Sequence, residues 1–151
     1  MIQYKKGDVL EVKCEFSRII PHVCNNKGKW GSGFVVALSK KWKEPEASYR
    51  RLAEYPLGRY QLIQVQSEPA VIVENMIAQD GFASYINPVA LDYDALKSCM
   101  TDIGEWIRSV KTPFIITAPK FGAGLAGGNW VIIEKMINQI WDGIPVEIYE
   151  L

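Results

Sequence analysis

His22 is the only histidine in this 151-residue chain and the one side chain whose ordinary pKa lies near neutrality. It stands in Pro21 to Phe34, PHVCNNKGKWGSGF, where a short apolar run (Ile19, Ile20, Val23) meets two asparagines and then three glycines at the mouth of a helix. Gly31-Ser32-Gly33 opens that helix at Phe34, so amide N–H groups without helical partners point outward, where the helix dipole also favours negative charge. Glycine suits such a place because a Cβ would hold a ligand away from the backbone. The chemistry implied is an anion cradle with a proton-transfer group beside it, although a lone histidine near a strand end is also commonly structural. Ser32 can donate to phosphate or cap the helix, and the cap is the simpler reading. Asp80, in Gln79-Asp80-Gly81, is a second candidate acid, or simply a turn residue before glycine.

A second stretch repeats the arrangement. Phe114 to Thr117 reads as a buried strand, followed by Pro119-Lys120-Phe121-Gly122-Ala123-Gly124-Leu125-Ala126-Gly127-Gly128 and a helix from about Asn129. Ordering four glycines within seven residues is entropically costly. Two glycine loops, each between a strand and a helix, belong at the carboxyl ends of the strands, where open α/β sheets bind ligands. Facing one another, they suit a diphosphate.

The elements that must position these loops follow from periodicity and punctuation. Strands are expected at Met1–Lys5, Phe16–Val23, Phe114–Thr117 and Ile144–Tyr149, with Tyr60–Val65 and Val71–Met76 as an antiparallel hairpin around Ser67-Glu68-Pro69. Ile77 to Asn87 reads as loop. Helices are expected from Phe34, with Val35, Leu38 and Trp42 on one side, from Pro45 to Ala53, and from Trp130 to Trp141, with Gly143 ending the last. The longest is expected from Pro88 to Val110, capped by Asn87; Leu96, Cys99, Met100, Ile103, Trp106, Ile107 and Val110 form its apolar face. Strands alternating with helices predict an α/β fold: a three-layer αβα sandwich on a mixed central sheet, in one domain over residues 1–151.

Composition narrows the function classes. The chain is 48% apolar and 23% charged, long enough for one core and short for two. Neither a leader nor a membrane-length apolar run is evident, so a soluble cytoplasmic monomer is expected. Cys14, Cys24 and Cys99 form no CxxC, which with a single histidine argues against disulfides or a metal site. Zero formal net charge disfavours general binding to a nucleic-acid backbone. Lys27 to Arg51 nevertheless holds seven basic residues against Glu44 and Glu46, which is either a solvated helix face or a field steering a phosphorylated ligand.

The run from His22 to Gly33, followed by Leu38 and Pro45-Glu46-Ala47-Ser48-Tyr49, resembles the first ligand loop of macro domains. It is especially similar to the HxCNxxGxWGxG form of fungal ADP-ribose-1''-phosphate phosphatases and their phage and bacterial relatives. Pro119 to Leu125 with Trp130 is similar to the family's PxxGxGLxxxxW, and Gly7-Asp8-Val9 and Val146-Glu147-Ile148-Tyr149 fall where the family has them. The resemblance implies ADP-ribose or ADP-ribose-1''-phosphate as ligand, without a cofactor or metal. Asp8, beside Val9, would accept from the adenine amine, and Asn25 would read the distal ribose; Asn26 either joins it or shapes the turn. Gly31, Ser32, Gly33 and Phe34 would face Pro119, Phe121, Gly122, Ala123, Gly124 and Leu125 across the diphosphate. Phe121 would lie near the distal ribose. His22 would be the general acid or base for water attacking the terminal phosphate, or itself the nucleophile.

Where related glycohydrolases place a lysine and an aspartate, this chain has Gln79 and Ala126, which puts their Schiff-base mechanism in doubt. Three readings follow: a phosphatase, a binding module for ADP-ribose or an NAD derivative, and a hydrolase of ADP-ribosylated protein or nucleic acid. A dinucleotide oxidoreductase fits poorly, because the first loop lacks GxGxxG.

Overall fold

The computed structural model describes residues 2–151, so Met1 of the expected first strand lies outside the described residues. β1 (Ile2–Lys6) leads through a tight turn at Val9–Glu11 into β2 (Ser17–Asn25), then α1 (Phe34–Lys41) and α2 (Glu44–Arg50). β3 (Tyr60–Ser67) and β4 (Ala70–Gln79) precede the long α3 (Tyr93–Ser109), and β5 (Phe114–Ala118), α4 (Trp130–Ile140) and β6 (Val146–Glu150) complete the chain. The six strands are ordered β1-β6-β5-β2-β4-β3. All neighbours are parallel except β3, which pairs antiparallel with β4 at the edge, so the sheet is mixed.

Period-2 alternation along β2 feeds two separate cores. Ile19 packs with Met76, Leu96, Met100, Ile103, Ile116 and Ile133 beneath α3 and α4. Ile20, the next residue, packs with Leu38, Tyr49, Val73 and Ile77 beneath α1 and α2. Helices therefore cover both faces, which is the expected three-layer α/β sandwich.

Three boundaries differ by three residues or more from expectation. α3 begins at Tyr93 instead of Pro88, capped by Asp92, whose carboxylate accepts from the amide of Ala95 at 2.9 Å. Residues 90 to 92 cannot be helical because their backbone is bonded to other segments. The amides of Ala90 and Leu91 both donate to the carbonyl of Ala126, and that of Asp92 donates to Ala78. β4 runs on through Ile77 and Ala78 to Gln79, because pairing with Cys24 and Asn25 satisfies its backbone there. α2 stops at Arg50, short of Ala53. Among the described residues no helix is long and apolar enough to cross a membrane.

Candidate functional site

A cavity of about 710 Å3 opens at the carboxyl ends of β2, β4 and β5, and both glycine loops line it. Gly31, Ser32, Gly33 and Phe34 form one wall, and Pro119, Phe121, Gly122, Gly124 and Leu125 another. The loops touch: a Cβ built on Gly33, whose φ is +79°, would lie 2.8 Å from Cδ1 of Leu125. Gly33 is also the cap residue of α1 and no side chain caps that helix, so the expectation that Ser32 would do so is not met. The four second-loop glycines divide by role. Gly124 opens on the cavity with nothing within 4 Å of a built Cβ, and Gly122 lines it too, although a Cβ there would meet Leu91 at 3.2 Å; a Cβ at Gly127 would meet the Pro88 carbonyl oxygen at 2.1 Å and one at Gly128 the Gly122 oxygen at 2.5 Å. The last two are needed for packing the loop on itself and on its neighbour. Lys29 brings positive charge to the lining, whereas Lys120, also in the wall, pairs with Glu150 at 3.3 Å.

Asn25 shapes the first loop. Its Oδ1 accepts from the amides of Lys27 (2.9 Å) and Lys29 (3.2 Å), while Nδ2 donates to the carbonyl of Lys29 (2.8 Å). The Tyr49 hydroxyl donates its one hydrogen to the Asn25 backbone carbonyl at 2.7 Å, with Oδ1 2.9 Å away. The two amides saturate the side-chain oxygen. The expectation of a free amide reading a diol as both donor and acceptor is corrected to one remaining N–H. Asn26 lies outside the lining, donating to Asp80 at 3.0 Å and accepting from the amide of Gly81 at 2.9 Å. Asp80 is likewise outside it, held in this turn clamp and not aimed at the site as a catalytic acid would be.

His22 is 2% exposed in the cavity wall. The parallel register sets it opposite Asn75, and Nε2 lies 2.6 Å from Asn75 Oδ1. The orientation of that amide is fixed in turn. Asn75 Nδ2 donates to the carbonyl of Pro45 (3.0 Å) and to Gln61 Oε1 (3.2 Å), and Gln61 Nε2 donates to the carbonyl of Ser48 (3.0 Å). Nε2 must therefore carry the hydrogen, leaving the lone pair on Nδ1, which is buried without a partner. Trp30 meets the ring edge-on at 5.5 Å and Phe34 packs at 5.7 Å. Burial lowers the pKa from 6.5 to about 4, against the smaller upward pull of Asn75. At neutral pH this imidazole can take a proton but has none to give as an acid, which narrows the general acid or base expectation to base.

Four further expected residues sit differently. Asp8 is outside the lining and caps the tight turn, accepting from the amide of Leu10 at 2.9 Å. Val9 is 4% exposed in the core, and its carbonyl accepts from Arg18. Ala123 does not line the cavity. Phe121 lines it but is 3% exposed, wedged at 5.9 Å from both Trp130 and Trp141, so its ring is core and offers no face for stacking. The structure adds Lys29, Trp30, Gln79, Phe82 and Lys120 to the walls. Gln79 donates to the carbonyl of Gly81 at 2.9 Å. Its position at the end of β4, beside Asn25, was hidden by the expectation that this strand stopped at Met76.

No protein-family model matches the chain. A macrodomain protein from Streptomyces coelicolor has a similar structure, with TM-score 0.82 and 33% identity, covering 100% of this chain and 99% of that one. A protein of unknown function from Bacteroides thetaiotaomicron is similar at TM-score 0.90 and 35% identity, covering 100% of this chain and 98% of its own. Among curated proteins, the ADP-ribose 1''-phosphate phosphatase of Saccharomyces cerevisiae (strain YJM789) is 23% identical over 99% of this chain and 98% of that protein. With two strand-to-helix glycine loops closing on one cavity, and a third of the residues shared end to end with a solved macrodomain, the chain belongs to the macrodomain family.

Proposed function

We propose that the cavity binds ADP-ribose, with its diphosphate between Gly31–Gly33 and Gly122–Gly124, and that the protein removes the terminal phosphate of ADP-ribose-1''-phosphate. The observation that carries the binding is that both loops line one cavity and touch at Gly33 and Leu125. Amides at the start of α1 supply donors for phosphate, and Lys29 supplies charge. The hydrolysis is supported by the similarity to the yeast phosphatase and by His22 in the wall. Water would attack phosphorus as the ester P–O bond breaks, giving ADP-ribose and inorganic phosphate. Nδ1 of His22, the ring nitrogen holding the lone pair, would accept the proton of the attacking water and pass it to the departing sugar oxygen.

A second reading, a receptor without turnover, is favoured by the burial of that same Nδ1: as packed, no water reaches it. Calorimetric titration with ADP-ribose tests binding, and phosphate release from ADP-ribose-1''-phosphate by wild type and His22→Ala tests turnover. Binding with no release by wild type establishes the receptor. Release that His22→Ala leaves unchanged removes His22 from the mechanism.

A further inference from the structure

At the opposite end of the sheet, a second cavity of about 340 Å3 is lined by the residues that begin β2 and β4, Arg18 and Val71, together with Lys13, Cys14, Lys41 and Trp42. α1 joins the two sites, since Phe34 at its start lines the first and Lys41 at its end lines the second. At about 3.3 Å per strand residue, Arg18 lies roughly 23 Å from Asn25 along β2. We propose that this second cavity is a binding site for a small phosphomonoester dianion, distinct from the macrodomain cleft.

The argument rests on Arg18. It is 4% exposed, and its two hydrogen bonds, to the carbonyl of Val9 (3.0 Å) and the hydroxyl of Thr117 (3.1 Å), both use Nη1. Among the described residues no carboxylate lies within ion-pair distance of it. Glu147, the nearby acid, is already bonded to Lys5 and to the Tyr149 hydroxyl, each at 2.8 Å. Nε and Nη2 make no hydrogen bond among the described residues and are not among the sealed polar atoms, so they are left for the cavity that Arg18 lines, and the planar fork of a guanidinium matches phosphate oxygens. Burial pushes the Arg18 pKa down, against its fixed preference for the charged form.

The rest of the lining fits the same ligand. Lys13 and Lys41 add two cations against one acid, Glu11. That acid pairs with Lys41 at 3.3 Å with its side chain 67% exposed, a contact weak enough to yield to a dianion. Lys41 also offsets the negative end of the α1 dipole, which would otherwise oppose an anion here. Trp42 offers an apolar wall beside the charges, with Lys41 5.3 Å from its ring centre.

Cys14 lines this cavity and is the one cysteine of three that is not buried, so its alkylation rate reports occupancy. Labelling of the whole chain is followed by mass spectrometry in inorganic phosphate, in AMP, and in potassium chloride of matched ionic strength. Saturable protection is expected, about fivefold at four times the dissociation constant. Protection by phosphate alone identifies the free anion as ligand, and protection by AMP alone a nucleotide monoester. Lys13→Gln combined with Lys41→Gln, both at exposed positions, should abolish it, and a thermal melt of the double variant checks that the fold is kept. No protection, equal protection by chloride, protection that survives the double substitution, or protection by ADP-ribose itself would each overturn the proposal.

Discussion

The neutral state of His22 should be measurable as a loss of stability in acid. Burial holds its pKa at about 4 against 6.5 for the free side chain. Between those values the unfolded chain binds a proton that the native chain does not, so stability is complete above pH 6.5 and is lost as the pH falls toward 4. At about 1.4 kcal/mol per unit the loss is about 2 kcal/mol by pH 5 and about 3 kcal/mol by pH 4. Its structural cause is that a proton on Nδ1 would be buried without an acceptor. His22→Gln keeps a donor for Asn75 and removes the titration. The stability of wild type relative to this variant, from urea unfolding at pH 7.5 and pH 5, should therefore fall by about 2 kcal/mol on acidification. With one histidine in the chain, a single imidazole NMR signal gives the pKa directly. A ring titrating near 6.5, or a difference between the proteins independent of pH, would refute the assigned burial and tautomer together.

Glu74 should act in the opposite sense. Its carboxyl is fully buried with both oxygens unpartnered, and desolvation, aided by Asp102, raises its pKa well above 4.5. Stability is lost as pH rises from there toward the folded pKa, at about 1.4 kcal/mol per unit, and Glu74→Gln should flatten that slope in denaturation between pH 5 and 8. Identical slopes would contradict it. Gly124→Val should fold as wild type, because a Cβ there has nothing within 4 Å, yet weaken ADP-ribose binding by about tenfold, or about 1.4 kcal/mol, in calorimetry. Unchanged affinity would move the ligand away from this loop. Gly127→Ala should cost about 2 kcal/mol or more in thermal unfolding, since φ is +73° and the Pro88 oxygen would lie 2.1 Å from the new Cβ.

What was legible in the sequence was what local pattern determines. The Ile19 and Ile20 pair requires cover on both faces of a strand, the spacing from Leu96 to Ile107 requires a helix, and the two glycine runs mark the loops. What was not legible depends on pairing between distant segments. Asn75 is polar within an apolar strand, and only the β2–β4 register makes it the partner of His22, 53 residues away. The hold on the Asn25 carbonyl depends on Tyr49 arriving from α2. Asn87 and Pro88 carry good helix-start signals, but Leu91 bridges to Gln79, Leu91 and Ala90 both bond to Ala126, and Asp92 bonds to Ala78, so tertiary hydrogen bonds outweigh the local preference.

The amide relay from Ser48 through Gln61 and Asn75 ends on the imidazole, and Gln61 belongs to β3, the outermost strand. The tautomer of His22 is thus held from the edge of the sheet, so a substitution at position 61 could free the Asn75 amide to turn over while every wall residue stays the same.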